Sequence, residues 1–365
     1  MNVFHQLTNF RGFVTGPGFL RLVLALIVVF HHNTRYIKIG EFAVFAFFML
    51  SGYWIHKMYK EKYALLERPF FSFIISRWLR IYPTYIFNLI LVLILVFVLN
   101  LWPVGLQAYA TGDKMQFWFS SIMLLTYNQL PVPQMLLVPA WSLDIELQFY
   151  FLFPFLFLLF AWFKPKWVYI ALFAFVALNT LFFSSIFHNT VINAIKFFLV
   201  GSLIYVSDYK PSKKMINASW VVFFVLLSIN YLHPTLRENM YSSTRDLMWL
   251  GMNYHGLFNE LLAVAIIPIL AVNVKQPSPP TDRLLGNLSY DIYLFHWVLS
   301  IPYNFYFSGM PLVQRLPYFF IYLVLTIVGS LLIFKYIDEP VERLRRRWIK
   351  ETKKTVSYDL QREPR

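Results

Sequence analysis

The stretch GFLRLVLALIVVFHH, residues 18–32, decides the class of this protein. It is apolar over most of its length, yet it keeps Arg21 near its start and His32 at its end. On a helix the two side chains share one face, because eleven residues make three turns plus about 20°, and they lie roughly 16 Å apart along the axis. Ionisable residues at membrane depth are costly and are therefore functional candidates. The structural alternative is that Arg21 reaches the cytoplasmic lipid surface while His31 and His32 mark the outer boundary.

Composition identifies the solvent around that stretch. Of the 365 residues, 58% are hydrophobic and 14% are charged, against about 25% charged in soluble domains. The chain is therefore predicted to be an integral membrane protein. It has no cysteine, which excludes disulfides, thiolate metal sites and a cysteine nucleophile. The net charge of +14 is spread between apolar runs, so no nucleic-acid partner is expected.

Apolar stretches of membrane-crossing length predict an all-α polytopic membrane protein with about ten transmembrane helices. The predicted spans are residues 18–34, 41–58, 81–101, 141–162, 167–187, 191–207, 217–232, 257–274, 286–303 and 317–337. A shorter apolar segment, residues 116–127, fits an interfacial or re-entrant helix. Most of the 32 Lys and Arg residues fall in cytoplasmic segments if the N-terminus is cytoplasmic, so the positive-inside rule places both termini there. Residues 1–340 then form one transmembrane domain and residues 341–365 a basic cytoplasmic tail.

Two arginines stand three residues apart at the predicted start of the third helix. Arg77 and Arg80 point the same way at the cytoplasmic surface, which suits a polyanion such as the phosphates of a nucleotide-containing donor. The alternative is an ordinary positive-inside anchor.

The fourth predicted helix opens with WSLDIELQFY, residues 141–150. Ser142, Glu146 and Tyr150 follow at i, i+4 and i+8, which predicts one polar stripe facing the bundle. In the structural alternative Ser142 caps the helix, with Asp144 in the first turn beside the positive end of the helix dipole.

Two further polar groups lie near the C-terminal helices. Ser289, Tyr293 and His296 share one face of the ninth predicted helix, where His296 is either functional or an interhelical hydrogen-bonding group. Asp338-Glu339-Pro340 is predicted to end the tenth helix at the proline and to set carboxylates beside the cytoplasmic arginines.

The order of these motifs resembles the membrane acyltransferase-3 family. The motifs are Leu20-Arg21 with His32, FFMLSGY (47–53), Arg77-x-x-Arg80, WSLxxExxFY (141–150) with Pro154, LGxxSYxxYxxH (285–296), and Glu339-Pro340 with an arginine cluster. The resemblance covers nearly the whole chain and agrees with the predicted ten helices. Because the chain ends soon after the tenth predicted helix, the resemblance implies the stand-alone transmembrane form, without the appended extracytoplasmic domain of some members.

The resemblance implies transfer of an acyl group, usually acetyl, from cytoplasmic acyl-coenzyme A to a hydroxyl of a glycan or glycolipid at the outer side. Residues 1–340 would then be a transmembrane acyltransferase domain. The resemblance also implies that His32 is the catalytic histidine, that Arg21 is its partner and that Arg77 and Arg80 bind the donor. Acetyl-coenzyme A is a substrate, and neither a permanently bound cofactor nor a metal site is expected.

An imidazole suits acyl transfer because its unperturbed pKa of about 6.5 makes it a base near neutral pH. His32 either deprotonates the acceptor hydroxyl directly or relays the acyl group, and His31, which stands where the family usually has an aromatic residue, is the competing candidate. We expect the pantetheine arm of the donor to pass Arg21, and Glu146 or Tyr150 to orient the imidazole or stabilise the oxyanion. The residues expected to contact the substrate are Ser142, Tyr150 and His296.

The expected partners are acyl-coenzyme A, a glycan or lipid-linked saccharide, membrane lipids, and either a second copy of the chain or other glycan-assembly proteins. The expected location is the inner membrane, as a multi-pass protein. Buried Arg, His and Glu also suit a transporter or flippase for a glycolipid or small solute. A third interpretation is a non-catalytic subunit of a glycan-assembly complex. Dependence on an acyl-coenzyme A donor separates the enzyme from the transporter.

Overall fold

The computed structural model describes residues 16–34, 38–101, 114–127, 130, 135–162, 167, 170–172, 174–175, 178, 190–241, 248–249 and 252–362. These residues are helical apart from turns, short connections and one antiparallel pair of two-residue strands, β1 (Met248–Trp249) and β2 (Met252–Asn253). The helices are α1 (Pro17–Asn33), α2 (Gly40–Glu61), α3 (Pro69–Leu93), α4 (Lys114–Met123), α5 (Trp141–Trp162), α6 (Val191–Val206), α7 (Lys213–Leu232), α8 (Pro234–Tyr241), α9 (Tyr254–Ala265), α10 (Ile267–Asn273), α11 (Pro280–Phe307), α12 (Leu312–Ile333) and α13 (Glu339–Arg362).

Several of these helices are long and apolar enough to cross a membrane. Within the described residues there are four such stretches, namely Pro69–Val98, Val138–Phe160, Lys213–Leu232 and Val313–Thr352, and a fifth if α9 and α10, which meet at a bend of 47°, form one span. α1 and α6 are shorter apolar helices. The prediction of a helical membrane protein is confirmed, whereas ten spans and two cytoplasmic termini stay predictions.

The predicted helix bounds hold for two of the helices that carry motif residues. α1 and α5 match residues 18–34 and 141–162 closely, and most of the fifth predicted span, 167–187, lies outside the described residues. The third helix was placed wrongly. α3 begins at Pro69, where proline fits the first helical turn, so Arg77 and Arg80 lie well inside the helix rather than at its start.

The described residues cluster into two compact units. The first comprises parts of Met1–Trp54, Pro165–His188 and Ile192–Tyr293, and the second comprises parts of Ile55–Lys164, Asn189–Val191 and Leu294–Arg365.

In the first unit, the start of α1 is fixed by a carboxylate from α11. Asp282 is fully buried, and its oxygens accept hydrogen bonds from the N–H groups of Gly18 at 3.1 Å and Phe19 at 2.9 Å. These N–H groups have no partner within α1, and a carboxylate also suits the positive end of the helix dipole. Gly18 lies so close to Asp282 and Gly286 that a side chain there would collide with the backbone of α11. Asp282 therefore sets the position of the helix that carries Arg21 and His32.

Also in the first unit, α2 and α6 pack through two glycines. A Cβ at Gly52 would collide with the carbonyl of Phe198, and a Cβ at Gly201 would collide with the carbonyl of Met49. Stacking of Phe48 on Phe198, with ring centroids 4.6 Å apart, completes this contact. The Ser51-Gly52-Tyr53 part of the sequence motif thus has a packing role.

In the second unit, the helix expected to end at Pro340 continues. α12 passes through a π-helical turn, Phe334–Asp338, directly into α13. Proline lacks an N–H group and its ring clashes with the preceding turn, so it usually ends a helix. Here it occupies the first turn after the π-helical turn, where the wider hydrogen-bond spacing leaves room for it. The expected break at Pro340 is therefore absent.

Candidate functional site

Arg21 and His32 both lie on α1, which is helical without interruption between them, and both are half-buried. The Arg21 side chain passes Gly286 on α11, since a Cβ built at Gly286 would lie 3.9 Å from Arg21 Cδ. The predicted cation of the first helix is thus packed against the LGxxS motif of α11. The chemical roles predicted for Arg21 and His32 stay predictions.

His31 has a local structural role. Its Nδ1 accepts a hydrogen bond at 3.1 Å from the N–H of Gly40, the first residue of α2. That N–H belongs to the first turn and has no acceptor within α2. The neutral His31 ring must then carry its proton on Nε2, because Nδ1 serves as the acceptor. His31 therefore caps α2 from the end of α1.

His32 is the other imidazole of this pair and belongs to a larger cluster. The His31 ring meets His32 edge-on, with centroids 5.0 Å apart, and lies 6.1 Å from the ring of His255 on α9. Nδ1 of His255 is 3.5 Å from Glu41 Oε1, and its Nε2 is 3.0 Å from the carbonyl oxygen of Lys38. Both ring nitrogens of His255 face oxygen acceptors, an arrangement that the protonated imidazolium satisfies in full. Sequence reasoning missed His255 and Glu41, since neither belongs to a motif and His255 is distant from His32 in sequence.

The polar stripe of α5 forms part of the second unit. The hydroxyl of Tyr150 donates to Glu146 Oε1 at 2.5 Å, which confirms that these two side chains share a face. Ser142 Oγ donates to the carbonyl of Pro139 at 3.1 Å, and because α5 begins at Trp141, Ser142 lies inside the helix and not at its N-cap. A 3₁₀ turn, Val138–Ala140, precedes α5 and supplies that carbonyl. Asp144 is fully buried and accepts from Gln148 Nε2 at 3.0 Å.

A second constellation in this unit surrounds a buried tyrosine. We call it the Tyr63 cluster: Lys62, Tyr63, Ser76, Arg77 and Arg345. The hydroxyls of Tyr63 and Ser76 are 2.6 Å apart, a guanidinium nitrogen of Arg77 donates to the Tyr63 hydroxyl at 3.3 Å, and one of Arg345 donates to Ser76 Oγ at 2.9 Å. Lys62 Nζ lies 5.6 Å from the centroid of the Tyr63 ring.

The electrostatics of the Tyr63 cluster are those of crowded cations. Burial by itself raises the pKa of Tyr63, but the Arg77 guanidinium, the hydrogen bond with Ser76 and the charges of Arg345 and Lys62 outweigh it, so the pKa is lowered. Burial lowers the pKa of Lys62, and Arg345 and Arg77 lower it further, against the opposing effects of Tyr63 and Glu342. An anion would relieve this crowding.

The two predicted donor-binding arginines have different surroundings. Arg77 is buried, and its Nε has no hydrogen-bond partner among the described residues. Arg80 places one guanidinium nitrogen 2.8 Å from both carboxylate oxygens of Asp338. The predicted pairing of Asp338 with the cytoplasmic arginines is therefore confirmed for Arg80. Any phosphate bound by Arg80 would have to compete with Asp338.

His296, the remaining predicted substrate contact, is fully buried on α11. Its carbonyl oxygen accepts from Ser300 Oγ at 2.8 Å and from the Tyr322 hydroxyl of α12 at 3.2 Å. Its backbone thus takes part in helix–helix hydrogen bonding, whereas the role of its imidazole stays a prediction.

Within the first unit, the structure brings the α1 histidines together with His255 and Glu41. Within the second unit, it brings Glu146 to Tyr150 and Arg77 to the Tyr63 cluster. Tyr63, Ser76 and Arg345 were missed, although the arginine run of residues 343–347 was a signal for the last of them. Among the described residues, no group of three or more His, Asp or Glu side chains could hold a metal ion.

Comparison with known proteins agrees with the motif order. The family model described as an acyltransferase domain, that of the acyltransferase-3 family, matches residues 15–335. O-acetyltransferase OatA of Staphylococcus aureus strain NCTC 8325 is 25% identical over 347 residues, which cover 87% of this chain and 55% of the relative. A second S. aureus protein, from strain COL and provisionally named an O-acetyltransferase, is 26% identical over 362 residues, covering 91% of this chain and 58% of the relative. The chain thus spans less than two thirds of the length of these relatives. No solved structure matches it significantly.

Proposed function

Because this chain belongs to the acyltransferase-3 family, we propose that it is an integral membrane O-acyltransferase that moves acetyl from cytoplasmic acetyl-coenzyme A to a hydroxyl of a glycan or lipid-linked saccharide at the outer side. The helical apolar fold and the O-acetyltransferase names of the relatives support this proposal. We further propose the inner membrane as its location, and residues 1–340 as the acyltransferase domain.

His32 is the proposed base. The observation that carries this assignment is the hydrogen bond from Gly40 N–H to His31 Nδ1, which commits His31 to capping α2. In the neutral His31 ring Nε2 carries the proton and the lone pair of Nδ1 accepts the Gly40 N–H, so neither nitrogen is free to take a proton from an acceptor hydroxyl. The capping role of His31 supports His32 as the proposed base.

In the proposed direct reaction, His32 takes the proton of the acceptor hydroxyl while the hydroxyl oxygen attacks the thioester carbonyl carbon. The carbon–sulfur bond then breaks, and the coenzyme A thiolate leaves and receives the proton from the imidazolium. Arg21 is the proposed partner that contacts the donor arm, and Glu146 is a further proposed catalytic residue. Arg77 and Arg80 are the proposed donor-binding residues, and Ser142, Tyr150 and His296 the proposed substrate contacts.

The function is tested with purified protein in detergent, acetyl-coenzyme A and a panel of glycan acceptors. We expect acceptor-dependent release of free coenzyme A, and a loss of about 10²–10⁴-fold in His32→Asn, the usual contribution of a general base. Helix content and thermal stability of the variant should match the parent. Solute flux in liposomes that is lost in His32→Asn, without any donor binding or coenzyme A release, would support the transporter alternative instead.

A further inference from the structure

The Tyr63 cluster joins three parts of the second unit. Lys62 and Tyr63 follow the end of α2, Ser76 and Arg77 lie on α3, and Arg345 lies on α13. Only Arg77 of these belongs to the Arg-x-x-Arg motif. Arg345 comes from the helix that follows the last predicted span, where the sequence suggested a basic tail.

Positive charge in the Tyr63 cluster is poorly balanced. Arg77 is 6% exposed, and the group that it binds is the Tyr63 hydroxyl, which has no formal charge to offset the guanidinium. Its Nε is buried without a hydrogen-bond partner among the described residues. A buried cation in this state is costly unless a counter-charge arrives.

One carboxylate does reach the edge of the cluster. Glu342 accepts from Arg345 Nε at 2.8 Å and from a terminal nitrogen of Arg345 at 2.7 Å, and it also accepts from Arg346 Nε at 2.6 Å. This two-pronged contact has the geometry with which a guanidinium also binds a phosphate. Glu342 therefore holds Arg345 in a position that suits an oxyanion.

Arg80 differs from Arg77 in this respect. Arg80 already has a carboxylate partner, because one of its guanidinium nitrogens lies 2.8 Å from each carboxylate oxygen of Asp338. The Asp338 side chain is only 5% exposed. A partly buried pair of this kind is expensive to open, because either charge would be left without its partner.

On the basis of the acyltransferase function proposed above, we propose that the Tyr63 cluster binds a phosphate group of the coenzyme A donor. Lys62 and Arg345 contact the phosphate oxygens. Arg77, which donates to the Tyr63 hydroxyl, stabilises the negative charge of the bound phosphate. Arg80 keeps its bond to Asp338 and holds α3 against the π-helical turn. Arg345 is thus a further phosphate-binding arginine beside those of the Arg-x-x-Arg motif.

The test measures binding of a thioether analogue of acetyl-coenzyme A, which cannot turn over, to the full chain in detergent. We expect Arg345→Gln to weaken binding by about 10-fold or more, the loss of one charge-assisted hydrogen-bonding group, and Arg345→Lys to recover part of it. Arg346→Gln is the matched control, because Arg346 shares Glu342 but is 67% exposed. It should change the dissociation constant less than threefold.

Two truncated ligands make the test specific. The matching thioether of acetyl-pantetheine, which has no nucleotide phosphates, should bind parent and Arg345→Gln equally. An analogue without the 3′-phosphate identifies the phosphate: loss of the Arg345→Gln effect assigns the 3′-phosphate, and persistence assigns the diphosphate. Either result supports the site.

Equal weakening of the coenzyme A and pantetheine analogues in Arg345→Gln, or no weakening of either, would overturn the phosphate site while leaving the acyltransferase function intact. Failure of the parent protein to bind any coenzyme A analogue would overturn the function as well. Thermal unfolding of each variant shows whether a loss of binding reflects a loss of folding.

Discussion

At the scale of single residues, two adjacent imidazoles on α1 have different tasks. His31 accepts the Gly40 N–H, whereas its neighbour His32 meets it ring edge to ring face. The sequence alone could not tell the tasks of His31 and His32 apart, because the two residues are adjacent at the end of the apolar run. The contact that separates them depends on the chain returning at Gly40 to start the next helix, which no local pattern encodes.

Replacement of His31 tests this division. His31→Asn keeps an oxygen acceptor near the position of Nδ1, so we expect activity and thermal stability close to those of the parent. His31→Leu removes the acceptor and leaves a partly buried N–H unpaired, which should cost about 1–3 kcal/mol of stability. Acetyl transfer and thermal unfolding are measured together. A loss of activity in His31→Asn as large as that in His32→Asn would contradict the assignment.

Lys62 predicts a pH dependence of donor binding. Burial and the nearby guanidiniums lower its pKa, so it loses its proton at a lower pH than an exposed lysine. A bound phosphate favours the ammonium form, so binding above the lowered pKa takes up a proton and the affinity falls as pH rises. We expect the thioether analogue to bind more weakly at about pH 10 than at about pH 8.

The matched variants are Lys62→Gln, which should bind more weakly with a flatter pH profile, and Lys60→Gln, an exposed neighbour that should keep the parental profile. A parental slope retained in Lys62→Gln would show that another group titrates.

At the scale of elements, the sequence predicts helices where apolar runs are regular and fails where a boundary depends on tertiary contacts. α5 matches its predicted range, residues 141–162, because an uninterrupted apolar run from Phe149 to Trp162 follows its polar first turns. Pro340 was expected to break a helix, but the chain stays helical because the π-helical turn before Pro340 accommodates the proline. The Ser142 cap was wrong because α5 begins one residue earlier, at Trp141. The Tyr63 cluster was out of reach because Arg345 meets Ser76 only after α13 folds back beside α3.

The α2–α6 contact gives a prediction at this scale. Gly201→Ala should destabilise the protein by about 1–3 kcal/mol, the usual effect of inserting a methyl group into a packed contact, because the added Cβ meets the backbone of α2. Gly309→Ala is the control, since no atom lies within 4 Å of a Cβ built there. Thermal unfolding in one detergent compares the two. Equal stability of both variants would show that the helices can separate at little cost.

At the scale of the whole molecule, the absence of cysteine makes the predicted topology directly testable. Each introduced cysteine is the only thiol in the chain. With ten spans and cytoplasmic termini, Gly309→Cys should react with a membrane-impermeant maleimide in intact spheroplasts. Glu67→Cys, in the exposed connection between α2 and α3, should react only after permeabilisation. Labelling of both positions before permeabilisation would contradict the predicted orientation.

The π-helical turn at Phe334–Asp338 also sets a rotational phase. A π-helical turn holds one residue more than the corresponding α-helical turn, and one residue of α-helix corresponds to about 100° of rotation. Deleting a residue there would convert the turn to regular α-helix and swing α13 by that angle about its axis. Asp338, the last residue of the turn, and Arg345 both follow the deleted residue, so the contacts Arg80–Asp338 and Arg345–Ser76 would both be displaced by this rotation. The additional residue of the π-helical turn thus sets the rotation of α13 at which its arginines face those of α3.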